Sequence, residues 1–147
     1  MSVQSEHTGS GRIPNRLTVV DTSGPSAWGA LSCNTQSLPC SAGEIIVLRV
    51  EGEVDLCTLS ILQAALDYGL DQQPAHLVVD LARMTFCSAR GLDLLTRTGR
   101  TTAGKATGYA VSGVPPQIDR VWTLVWDGDL PVRYHSTAAA VTAIRAA

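Results

Sequence analysis

The residues able to do chemistry fall in two stretches. Val50-Glu51-Gly52-Glu53-Val54-Asp55 gathers three carboxylates around one glycine. Asp80 to Leu95, D-L-A-R-M-T-F-C-S-A-R-G-L-D-L-L, sets hydroxyls, a thiol and an arginine ahead of a leucine-rich run. Ser88 is a candidate nucleophile, with His76 or His135 as base and Asp80 or Asp55 as the orienting acid. No G-x-S-x-G elbow surrounds Ser88, and an aspartate at a strand end or a histidine ahead of a helix is more often structural. The chain therefore reads as a non-enzyme.

Cofactor chemistry is disfavoured in the same way. A dinucleotide fold needs a glycine-rich turn after its first long strand, and the acids at Glu51, Glu53 and Asp55 would repel a pyrophosphate. Gly104-Lys105 lacks the second glycine and the hydroxyl residue of a phosphate-binding loop. Cys33, Cys40, Cys57 and Cys87 form no C-x-x-C pair, and His7, His76 and His135 lie far from them in sequence. Neither a metal nor a cofactor is expected. Cys57 and Cys87 read as reduced packing residues. Cys33 and Cys40 enclose a short loop and form a candidate redox pair.

The 147 residues suffice for one domain with a real core. The chain is 45% hydrophobic and 16% charged, with a net charge of -2, which excludes a disordered polyelectrolyte. Lys105 is the only lysine and the arginines are scattered, so direct binding of nucleic acid is not expected. No apolar run reaches the length of a membrane span, and Met1 to Arg16 carries no signal-peptide core. These features predict a cytoplasmic protein without a membrane partner.

The elements that must position the two stretches are legible from residue 44 onward. Ile45 to Val50 is a strand closed by Gly52, and Leu59, Leu62, Leu66 and Leu70 form one face of a helix capped by Asp55 or Thr58. His76 to Leu81 is apolar without alternation, as in a strand covered on both faces. A polar corner at Thr85 to Arg90 leads into a helix over 90–103, with Ser88 as a favoured N-cap. Tyr109 to Ser112 is a strand. Pro115-Pro116 opens a helix whose apolar stripe is Ile118, Val121, Trp122 and Val125. Val132 to Tyr134 is a short strand, and Ser136 caps a last helix with Ala140, Val141 and Ile144 on one side. Leu17 to Val20 is a candidate first strand. Residues 1–16 are expected to be a flexible segment, and 17–147 a single domain with a long loop insertion at about 21–43, pinned by Trp28. Strands alternating with helices predict an α/β fold with right-handed crossovers.

Two spaced motifs and this element order resemble the STAS domains of anti-sigma factor antagonists. Gly52-Glu53-Val54-Asp55, just ahead of Thr58, is similar to the family's Gly-Glu-Leu-Asp motif. Asp80-Leu81, Thr85-Phe86 and Gly91-Leu92 are similar to its second signature, and Asp127-Gly128-Asp129-Leu130 resembles its last loop. The resemblance implies a small, mixed, mostly parallel sheet with helices packed on one side. It implies an anti-sigma factor as partner, of the ATP-binding serine-kinase type. Binding would free a sigma factor for transcription, a role linked to stress response, with the antagonist a monomer or weak homodimer. The implied partner-binding residues are Glu53, Asp55, Thr58, Thr85, Ser88, Ala89, Arg90 and Asp93. Regulated members carry a phosphorylated serine where this chain has Ala89, so that switch is missing. Ser88 and Thr85 are the neighbouring hydroxyls, and capping is the simpler role for Ser88. Two variants of the reading follow: redox control through Cys33 and Cys40, and a ligand-sensing module that holds a nucleotide or other anion at the helix start near Arg90.

Overall fold

The computed structural model describes residues 30–147 in full and the backbone of two further strands. The elements are β1 (Ser2–Gln4), β2 (Arg16–Asp21), β3 (Leu31–Cys40), β4 (Gly43–Val54), α1 (Leu59–Asp71), β5 (His76–Cys87), α2 (Ala89–Ala103), β6 (Gly108–Ser112), α3 (Pro116–Val125), β7 (Val132–Tyr134) and α4 (Thr137–Ala146). The strands form one sheet in sequential order from β1 to β7. Pairings up to β3–β4 are antiparallel and those from β4–β5 onward are parallel.

That order fixes where the helices lie. Each parallel crossover steps one strand in the same direction, so right-handed connections place α1, α2 and α3 on one face. Their core contains Leu48, Val50, Leu62, Leu66, Leu77, Val79, Leu92, Leu95, Val111 and Trp122. Strand residues of opposite parity, Ile45, Val47 and Val78, point to the other face, where they meet Ala140, Val141 and Ile144 of α4. Among the described residues no strand follows α4, so no crossover places it on the first face. The mixed sheet is as expected, with three helices together on one side and the last one closing the opposite side.

Four expectations are corrected. Residues 31–40, placed within the long loop, are the strand β3, paired along its whole length with β4. Its buried positions Leu31, Cys33 and Thr35 alternate with more exposed Ser32 and Asn34, a period-2 pattern diluted by polar residues and Pro39. Ser2–Gln4, placed in a flexible segment, pairs with β2 as the outermost strand. β4 and β5 do not stop at Gly52 and Leu81 but run on to Val54 and Cys87, with a register shift between Gly52 and Glu53. The α3 stripe is turned: Ile118 and Trp122 are buried, whereas Val121 and Val125 are exposed. Trp122 sets this rotation, because its indole N–H donates to Thr96 Oγ1 of α2 at 3.0 Å. Trp28 and most of residues 1–29 lie outside the described residues.

Candidate functional site

The two motif stretches meet at the carboxyl ends of β4 and β5, the place where parallel strands present functional groups. Glu53 pairs with Phe86 and Val54 with Cys87 in register. Two hydrogen bonds tie the strand ends further: Thr85 Oγ1 donates to the Gly52 carbonyl (3.1 Å), and the Ser88 amide donates to the Val54 carbonyl (2.8 Å). Gly52 adopts φ +113 at the bulge, a conformation that side chains disfavour.

The turn from Asp55 to Thr58 is braced by its own side chains. Asp55 Oδ1 accepts from the amides of Cys57 (2.9 Å) and Thr58 (3.0 Å). Thr58 Oγ1 accepts from the Asp55 amide at 2.9 Å and donates to the Glu53 carbonyl at 2.8 Å. Thr58 is therefore buried rather than on the contact surface, and its hydroxyl is used inside the turn. That reverses its expected role from contact to support.

Across the corner, Ser88 is the N-cap of α2. It is extended at φ -69, ψ 164, and its Oγ accepts the Gly91 amide at 3.2 Å. Gly91 allows the helix start to seat on the strand ends: a Cβ there would lie 2.6 Å from Cys87 Sγ and 2.7 Å from Val54 Cγ1. Burial pushes the Cys87 thiol up to about 12, so it is a packing group rather than a nucleophile. Thr85, Ala89 and Arg90 are exposed, while Glu53, Asp55, Ser88 and Asp93 are half-buried. Asp93 is engaged by Arg97 one turn on, at 2.7 Å.

Two apolar side chains complete the corner, and sequence reasoning did not name them as contacts. Leu56 is 73% exposed on the braced turn, and Phe86 is 49% exposed at the end of β5. In the sequence Phe86 stands out only as a motif position. The missed signal was a leucine outside the periodic stripe of α1, directly after the Asp55 brace.

His76 does not approach Ser88, and Cys33 does not approach Cys40. His76 begins β5 and Ser88 follows its last residue; twelve extended residues separate them by about 40 Å. Asp80 Oδ1 accepts the Ala82 amide, and its Oδ2 lies 3.8 Å from Arg49 Nε. Cys33 and Cys40 do not flank a loop. They occupy opposite ends of β3 and opposite faces of the sheet, about 23 Å apart along the strand, far beyond the roughly 7 Å a disulfide can span. All four cysteines are free thiols, and burial pushes Cys33 up to about 12. The corner thus offers a braced, mixed apolar and charged surface.

A family model described as Mlab, STAS domain matches residues 40–125 of this chain. The chain belongs to the STAS-domain family. Its similarity within that family runs to anti-sigma factor antagonists. The crystal structure of an anti-sigma factor antagonist from Mycobacterium paratuberculosis is 30% identical, covers 76% of this chain and 92% of its own, and has a TM-score of 0.62. The anti-sigma factor antagonist SpoIIAA in its unphosphorylated form shares the fold at 17% identity, with 70% and 90% coverage and a TM-score of 0.58. No curated protein matches the chain. The match over 40–125 takes in β4, the Asp55–Thr58 turn, β5 and α2, so every side chain of the corner lies within the STAS region. Among the described residues, no helix of this STAS domain is long and apolar enough to cross a membrane.

Proposed function

We propose that this STAS domain, spanning about 17–147, is an anti-sigma factor antagonist of the cytoplasm. It binds an anti-sigma factor at the corner and so frees a sigma factor for transcription. The observation that carries this reading is the meeting of both motif stretches on one braced, exposed surface. Such a surface suits protein recognition: a rigid backbone lowers the ordering cost of binding, and exposed apolar side chains supply the energy. Leu56 and Phe86 are the apolar anchors, with Glu53, Thr85, Ala89 and Arg90 around them. Burying an exposed leucine gains about 1.5–3 kcal/mol, so Leu56→Ala should weaken binding by about ten-fold or more.

A kinase-type partner would leave the complex unmodified. Ala89 has no hydroxyl, and it is the exposed first residue of α2. Ser88 is held as the helix cap, and the Thr85 hydroxyl is bonded to the Gly52 carbonyl. Regulation is therefore expected outside this corner. The test is calorimetric titration of the full chain with each anti-sigma factor encoded in its genome, with and without ATP and magnesium. Stoichiometric binding that ATP does not abolish, and that Leu56→Ala and Phe86→Ala weaken, supports the reading. Binding to none of these proteins refutes it, and phosphate on Ser88 or Thr85 refutes the account of the missing switch.

A further inference from the structure

The last turns of α2 and the loop between α3 and β7 enclose a cleft of about 370 Å³. That volume lies within the range of small-molecule sites, roughly 300–1,000 Å³. The cleft is at the end of α2 opposite the recognition corner, and no residue of the corner lines it. Its apolar wall is the Tyr109 ring with Leu130, Pro131 and Val132. Its hydroxyls are already committed: those of Thr96, Thr102, Thr107 and Tyr109 donate to the carbonyls of Leu92, Gly99, Pro74 and Leu95.

Two ions of opposite sign remain. Arg100 and Asp129 both line the cleft, and among the described residues neither forms an ion pair, with the other or with any third group. The Arg100 guanidinium lies over the Trp126 ring, 5.6 Å from its centroid, a contact that holds the cation at the cleft and leaves its N–H groups unused. Beside it the Trp126 indole N–H is buried and has no acceptor among the described residues, and a buried donor without a partner calls for an explanation. Gly128 keeps the space next to both donors open. Its φ of +128 favours glycine by itself, and an added Cβ would stand 3.7 Å from Trp126 Nε1 and 3.9 Å from Arg100 Nη2. Opposite polarity comes from Asp129 and from Thr102 and Ala103 in the last turn of α2, because a helix C-terminus favours a cation. A simple anion would be repelled by Asp129 and the helix end, and a simple cation by Arg100. A ligand with both charges satisfies both sides.

We propose that this cleft binds a small zwitterion with an apolar body, the chemistry of a free apolar α-amino acid. The ligand carboxylate accepts from Arg100 Nη2 and lies next to the Trp126 N–H, to which it offers the missing acceptor. The ligand ammonium faces Asp129 and the end of α2. The ligand side chain covers Leu130 and Val132, the latter 58% exposed without it. Both charged groups of the protein are reached from solvent, so each ligand contact is of the weaker, screened kind. For a molecule of phenylalanine's size the dissociation constant is then about 1 mM. The site shares no residue with the recognition corner, so it stands or falls separately from the anti-sigma factor reading.

Two-dimensional proton–nitrogen NMR of the full chain tests the proposal, with L-leucine and L-phenylalanine titrated to about 20 mM, a range that brackets weak binding. Saturable shifts are expected at the amides of Gly99, Arg100, Gly128 and Asp129. The indole N–H signal of Trp126, assigned by its loss in Trp126→Phe, should move with them. On the wild-type protein, 3-phenylpropionate lacks the ammonium and phenethylamine lacks the carboxylate, so each should bind about five-fold or more weakly than phenylalanine. Arg100→Gln and Asp129→Asn should weaken phenylalanine binding by a similar factor, with an unchanged circular dichroism melt as the folding control. The analogue series needs no variant, so the outcome does not depend on how the substitutions fold. Absence of saturable shifts for both amino acids overturns the proposal. So do shifts confined to residues away from the cleft, or either analogue binding as tightly as phenylalanine.

Discussion

Gly52→Ala is the substitution that bears most directly on how the corner is built. Gly52 sits at φ +113, where an alanine is strained by about 1–3 kcal/mol. A Cβ at Gly52 would also lie 2.1 Å from the Ala30 carbonyl oxygen, at the start of β3. That neighbour is backbone directly ahead of β3, so relief requires the start of β3 or the end of β4 to move. Movement breaks the bond from the Glu53 amide to the same carbonyl, now 3.1 Å, at a further cost of about 1 kcal/mol. The total is about 2–4 kcal/mol. For a domain of this size that lowers the melting temperature by roughly 4–16 °C. Gly104→Ala is the control: Gly104 has φ -75, and its added Cβ would meet only Thr101 O at 3.7 Å. It should be neutral or stabilising by about 0.4–1 kcal/mol. Thermal unfolding followed by circular dichroism reads both. A Gly52→Ala melt within about 2 °C of wild type would refute the account of the bulge, since even the lower bound of the cost exceeds that shift.

Two further outcomes follow from the core and the thiols. Thr96→Val keeps the shape of a buried side chain but strips the acceptor from the Trp122 indole, fully buried at 3.0 Å from Thr96 Oγ1. It should cost about 1–3 kcal/mol in urea unfolding, and adding Trp122→Phe should cost less than the separate changes combined; strict additivity would show that the pair is not coupled. The Cys33 and Cys87 thiols, both pushed up to about 12 by burial from an ordinary 9.0, stay neutral in the fold while the unfolded chain ionises. The unfolded state then binds fewer protons, so their contribution is complete below about pH 9 and declines as pH rises towards about 12. Unfolding measured from pH 8 to 11 should show this decline, and it should be shallower in C33A/C87A; an identical slope would exclude these thiols as its source. The buried Tyr109 hydroxyl, also raised by burial, adds to the same trend.

Much of the corner was legible in local chemistry. Ser88 as a cap, the Asp55 brace and the placement of Gly52 ahead of a turn depend on neighbours a few residues away. The role of Thr58 was not legible, because a threonine after a carboxylate reads equally as a surface group or as an internal brace. β3 was hidden for a different reason. Its residues are Ser, Asn, Thr, Gln and Pro as often as apolar, and only the long antiparallel pairing with β4 makes them a strand.

The sequence by itself determined the alternation of strands and helices from β4 to α4, because periodicity and caps act within one element. Tertiary structure alone decided which apolar residues remain outside. Leu56 and Phe86 are exposed because strand pairing and a braced turn hold them at the sheet's end. Val121 and Val125 are exposed because the Trp122 bond to Thr96 rotates α3, turning them away from the sheet. Cys33 and Cys40 are kept apart because the segment between them is extended rather than looped. A hydrophobic pattern specifies that a side chain seeks cover; the number and order of neighbouring elements decide whether the chain provides it or another molecule must.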